Sequence, residues 1–96
     1  MSDAEKLRPL KQAVLDQIEA WDGSSERGFQ DIVRNADDVD KDKKILFALT
    51  KAFGVKPDVV HKWGAGKIVP DAFNRWAIIE RIRETLEQQL GLATGA

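Results

Sequence analysis

The chain has 96 residues, 43% of them apolar, a formal net charge of -1 and no cysteine. That length suits one domain with a modest core, and the missing thiols exclude a disulfide framework and a thiolate metal site. No apolar run approaches the roughly 20 residues of a membrane span, and the polar start MSDAEKLRP does not read as a signal peptide, so a reducing, cytoplasmic setting is expected.

Five helices are legible in chain order. The first is read over residues 8–21, where Leu7, Leu10, Val14, Ile18 and Trp21 recur at steps of three and four. Pro9 suits a first turn, and Asp22-Gly23 stops the helix. The second, over 25–36, is capped by Ser24 or Ser25 and lines one face with Phe29, Ile32, Val33 and Ala36. The third begins within DDVDKDKK, with Asp38, Asp40 or Asp42 as cap, and runs to Phe53. Ile45, Leu46, Ala48, Leu49, Ala52 and Phe53 make it apolar nearly all round, which places it at the centre of the domain.

Gly54 permits the left-handed backbone that ends this helix and turns the chain. Pro57 sets φ for a fourth helix over 57–63. Val60 and Trp63 share its inner face, with Val59 beside them, so Lys56, Asp58, His61 and Lys62 point outward. The fifth helix starts at Pro70 or Asp71 and runs to Leu90; Gly91 ends it, and LATGA reads as a frayed tail. Its stripe of Ala72, Trp76, Ile78, Ile79, Ile82, Leu86 and Leu90 packs inside, with Phe73 and Ala77 on the opposite side. The fold class is all-α: one domain over 1–96, with acidic helices in 1–42, a helix-turn-helix in 43–69, a C-terminal helix over 70–90 and a tail over 91–96.

Charge is divided along the chain. Residues 1–42 hold six Lys/Arg against eleven Asp/Glu, and residues 43–83 hold nine Lys/Arg against three Asp/Glu. A basic segment in a nearly neutral chain suggests a face that meets an anion, of which nucleic acid is the commonest large example.

The run TKAFGVKPDVVHKWGAGKIVP carries a resemblance. Leu49, Thr50, Gly54, Val55, Val60 and Trp63, then Gly66-Lys67 and a proline three residues on, resemble the helix-turn-helix of the Cro/CI-type (XRE-like, lambda-repressor-like) DNA-binding family. The likeness is close over about 45–70, and the five-helix count agrees with that family; residues 1–35 match by architecture alone. Three positions depart from the family pattern: Thr50 stands for alanine, Lys56 for a Ser or Thr cap, and Gly64 for glutamate. The resemblance implies a compact five-helix domain whose helix 57–63 enters the major groove of double-stranded DNA, as in a bacterial or phage transcriptional regulator. It also implies a homodimer that reads two half-sites one turn apart, with the 70–90 helix, through Phe73, as the expected contact.

Lys62 corresponds to the outward base-reading position, where it would donate to guanine or hold a phosphate. Lys56 at the helix start fits a phosphate or base-edge contact. Asp58 either accepts from cytosine or complements the helix dipole. His61 is the sole histidine, which disfavours a metal and fits a groove contact. Lys67, on a loop flexible through its glycines, and Lys43 and Lys44, flanking a helix N-terminus, are placed for phosphates. DVDKDK resembles the start of a calcium loop, but the sixth and twelfth positions are Lys43 and Leu49 rather than glycine and glutamate. No nucleophile with its base, phosphate-binding glycine loop or paired carboxylates is present, so neither catalysis nor a cofactor is expected. A protein-interaction or antitoxin-like module using the acidic N-terminal helices, or a DNA-packaging or replication accessory protein, is the alternative use of the same fold.

Overall fold

A computed structural model describes residues 3–92, so residues 93–96 of the expected tail lie outside the described residues. The helices are α1 (Asp3–Ala20), α2 (Glu26–Asp38), α3 (Lys44–Phe53), α4 (Pro57–Ala65) and α5 (Ala72–Leu90), with no strand among the described residues. None of them is long and apolar enough to cross a membrane.

α2 is the hub and packs on all four other helices. Its buried residues Phe29, Ile32, Val33 and Ala36 fall on one face at helical spacing. Its start is tightly held. The Asp22 carboxylate accepts from the Ser24 and Ser25 amides (2.8 and 3.0 Å) and from the Ser24 hydroxyl. The Ser25 hydroxyl accepts from the Gly28 amide at 3.0 Å, and the Trp21 indole donates to the Ser25 carbonyl. Those amide bonds, Ser24 first, hold the Asp22 carboxyl below its ordinary value. α5 packs on α1, α2 and α3, and its buried Ile78, Ile79, Ile82 and Leu86 complete the core.

Three sequence expectations are corrected. α3 is not central: it buries Ile45 and Leu49, while Phe47 is 65% exposed and Lys51 and Ala52 also face solvent. A ten-residue helix docked along one side has room to bury one stripe, however apolar its other positions are. The start of α5 is turned differently too. Trp76 is 55% exposed and Ala72 is exposed, while Arg75 is buried. At 3.6 residues per turn, Trp76 lies about 160° round the helix from Ile78, outside the buried sector. Arg75 donates to the Pro70 carbonyl at 2.7 Å and faces the Glu26 carboxylate at 3.9 Å, tying the α4–α5 connection to the start of α2. Finally, α1 begins at Asp3, so Pro9 lies inside the helix rather than in its first turn, where it removes one ladder hydrogen bond.

Candidate nucleic-acid interface

α4 rests on α2 and α3 alone. Its buried residues are Val60, Trp63 and Gly64, with Val59 half-buried. The Trp63 ring meets Phe53 of α3 edge to face, centroids 6.1 Å apart. Residues 54–56 make the connection: Gly54 sits at φ 63°, the Val55 amide bonds the Thr50 carbonyl, and Lys56 is extended before Pro57. Positive φ carries a steric cost for residues with a Cβ, and Gly54 avoids it. The outward side of α4 is left to Lys56, Pro57, Asp58, His61 and Ala65, all exposed, with Lys62 at its edge.

Gly64 explains one departure from the family pattern. It lies in α4, not in the loop after it, and turns toward α2. A Cβ there would meet the Arg34 backbone at 3.4 Å and the Val33 side chain at 3.5 Å. A glutamate has no outward position at this point of the helix. Thr50 is half-buried, and its hydroxyl donates to the Phe47 carbonyl.

The candidate side chains on α4 have partners of their own. Lys62 pairs with Asp58 one turn earlier at 3.0 Å. An exposed pair at this spacing contributes about 0.3–0.5 kcal/mol, so a phosphate competes for Lys62 at little cost. His61 does not point straight out: its Nε2 stands 3.6 Å from an Asp37 oxygen at the end of α2. Lys56 is the N-cap of α4 and makes no side-chain cap hydrogen bond. Lys67 follows a closed turn rather than a flexible loop. Gly66 is left-handed at φ 75°, and the Lys67 and Ile68 amides both bond the Lys62 carbonyl, at 3.0 and 3.3 Å. The Lys67 side chain is exposed.

Lys43 and Lys44 are exposed at the start of α3, ten residues from the α3–α4 turn. The helix amides beside them are already taken. The buried Asp40 carboxylate accepts from Ile45 and Leu46 at 3.0 and 2.9 Å, and Asp42 accepts from Lys44 at 3.3 Å. An incoming phosphate therefore meets the two ammonium groups there, not the free amides that a bare helix N-terminus offers. Lys44 also stands 3.9 Å from Asp42.

From α3 through the turn after α4 the cations are of one residue type, and the three arginines of 43–83 all lie on α5. Of the nine Lys/Arg in 43–83, Arg75 is buried, Arg81 pairs with Glu84, and Arg83 pairs with Glu80 and Glu87. The Arg83 pKa is raised, chiefly by its hydrogen bond to Glu80. The other six are the lysines 43, 44, 51, 56, 62 and 67, of which Lys44 and Lys62 have the carboxylate neighbours described above. These are compact point charges without the planar fork that reads two acceptors at once.

Sequence reasoning missed Arg34, whose guanidinium pairs with Asp31 and donates to the Gly64 carbonyl at 3.4 Å, covering the end of α4. Nothing in the local pattern singles it out. It left Asp38, Asp40 and Asp42 as interchangeable caps, whereas the N-cap position of α3 is Lys43 and the buried Asp40 is the carboxylate that takes two of the helix amides. No family model, curated protein or solved structure matches this chain.

Proposed function

We propose that the chain binds double-stranded DNA, with α4 in the major groove and Lys43, Lys44, Lys56 and Lys67 on the flanking phosphates. The observation that carries this reading is the outward side of α4. The helix is anchored by three buried residues on one side and leaves a polar side open, edged by lysines. A helix exposed in this way has the width to enter a major groove about 12 Å across. The resemblance of residues 45–70 to the Cro/CI-type family supports the same placement, and transcriptional regulation is the use that family implies.

Lysine-only chemistry sets the character of the binding. Phosphate contacts dominate and make affinity fall with salt, while Lys62, released from Asp58, supplies the base-edge donor. Titration of wild type, Lys62→Ala and Lys67→Ala against duplex DNA at several salt concentrations tests this. Lys67→Ala weakens all sequences alike and flattens the salt slope by about 1. Lys62→Ala costs about 1–3 kcal/mol on the preferred sequence and less on others. Binding that ignores salt, or no binding at low salt, refutes the proposal. Selection from a random duplex pool then yields the preferred site.

A further inference from the structure

Phe47 and Lys51 have no task in the placement of α4 described above. Phe47 is 65% exposed, and the Lys51 ammonium stands over its ring, 5.8 Å from the centroid. Lys44, Phe47 and Lys51 follow one another along α3 at steps of three and four, and Lys43 lies four residues before Phe47. They share one stripe of the helix surface, and all four are exposed. α3 itself holds no acidic residue. Of the aspartates just before it, Asp40 is buried with both oxygens taken by amides, and Asp42 stands 3.9 Å from Lys44. Phe47 lies about 120° round α3 from Phe53, which meets Trp63 of α4. The stripe is therefore a second face, turned away from the α3–α4 contact.

Charge and shape choose the occupant. Three lysines grouped round one ring select a polyanion. The ring then separates one polyanion from another. A protein interface covers about 800 Å² per partner, and an aromatic side chain supplies only about 150–250 Å² of it. An anionic membrane takes up a helix through a row of apolar side chains, and Phe47 is the one large apolar side chain exposed on α3. A nucleic-acid base needs a single ring. Stacking on an aromatic side chain, with cations along the backbone, is how single strands are held. In a duplex the base faces are stacked on each other, so a ring on a convex helix reaches only unpaired bases.

We infer that α3 binds single-stranded nucleic acid, one base stacking on Phe47 while Lys43, Lys44 and Lys51 hold the adjacent phosphates. At 5.8 Å the Lys51 ammonium stands beyond the ~3.5–4.0 Å of close contact, so it can swing from the ring to the phosphate of the stacked nucleotide. Lys43 and Lys44 serve a single strand or a duplex alike. Phe47 and Lys51 belong to the single-strand site alone, which stands whether or not α4 enters a major groove.

Fluorescence anisotropy of the full chain tests this with an oligothymidylate of ~12 nucleotides, an abasic strand of the same length and a duplex. Wild type is expected to bind the oligothymidylate at low salt and the abasic strand more weakly. Phe47→Ala should weaken the oligothymidylate complex about 10-fold, as for loss of one stacked base, and leave the abasic and duplex complexes unchanged. Phe47→Trp should keep the complex. Lys51→Ala should flatten the salt slope on the oligothymidylate by about 0.7. Both side chains are exposed, so circular dichroism should find the variants folded. A wild type that does not bind the single strand at low salt overturns the inference. So does a Phe47→Ala variant that binds oligothymidylate as tightly as wild type, or loses as much on the abasic strand. Tighter binding to anionic phospholipid vesicles, abolished by Phe47→Ala, overturns it as well. Lys62→Ala should act on the duplex alone, so a failure of duplex binding bears on the placement of α4 and not on this site.

Discussion

Substitutions at Gly64 test the seat of α4 from both directions. A Cβ built on Gly64 lies 3.4 Å from the Arg34 amide nitrogen and 3.5 Å from the Arg34 Cα and from Val33 Cγ1. Those are ordinary van der Waals distances, so alanine fits without displacing α2. Glycine in a helix costs about 0.5–1 kcal/mol relative to alanine, and Gly64→Ala is expected to stabilise the domain by up to that amount. Gly64→Glu is different, because its carboxylate would be driven into the α2–α4 contact. An uncompensated buried charge costs several kcal/mol, but the protein can escape it by letting α4 lift. The cost is then limited to the lost burial of Val60 and Trp63, about 3–5 kcal/mol. Urea unfolding followed by circular dichroism reads both values. In thermal melts each kcal/mol shifts the midpoint by about 4–8 °C for a domain of this size. A Gly64→Ala variant losing several kcal/mol, or a Gly64→Glu variant as stable as wild type, would show that α4 does not sit on α2 as described.

Three further outcomes follow from local geometry. Asp40→Ala removes a buried carboxylate that holds two amides and should cost about 2–4 kcal/mol, with Asp40→Asn losing less; calorimetry measures both. Lys56→Ser supplies the missing cap and should raise stability by about 1 kcal/mol, while weakening DNA binding and flattening its salt slope by about 1. For Asp22, the folded carboxyl titrates below its ordinary value of 3.8, so its contribution is fully present above that pH and is lost as pH falls below it. Wild type should therefore exceed Asp22→Ala in stability at neutral pH, and the gap should close on acidification in a pH series of urea melts.

The five helices were legible because each carries an apolar spacing of three and four and is punctuated by glycine, proline or a capping side chain. Their rank in the fold was not legible. α3 is the most apolar helix in composition, yet α2 is the hub, because centrality depends on how many neighbours a face meets rather than on how many apolar residues a helix holds. The outward set on α4 followed from Val60 and Trp63. The partners that restrain it, Asp37 for His61 and Arg34 at the Gly64 carbonyl, come from α2 and have no trace near residue 60. The charge division was real in the chain but overstated the surface. Arg75 looked like any other cation, and only the path of the α4–α5 connection shows it turned inward.

That α4 touches only α2 and α3 bears on how such a protein can diversify. Substitutions at Lys56, Asp58, His61 or Lys62 touch no residue of the core, so the outward side of α4 can be exchanged while the chassis is inherited unchanged. The same seating puts the α4 amides on the fast side of a hydrogen-exchange map, opening as a unit before the α2–α5 centre does. Adaptability and ease of local opening are two results of one arrangement: a helix secured along a single side.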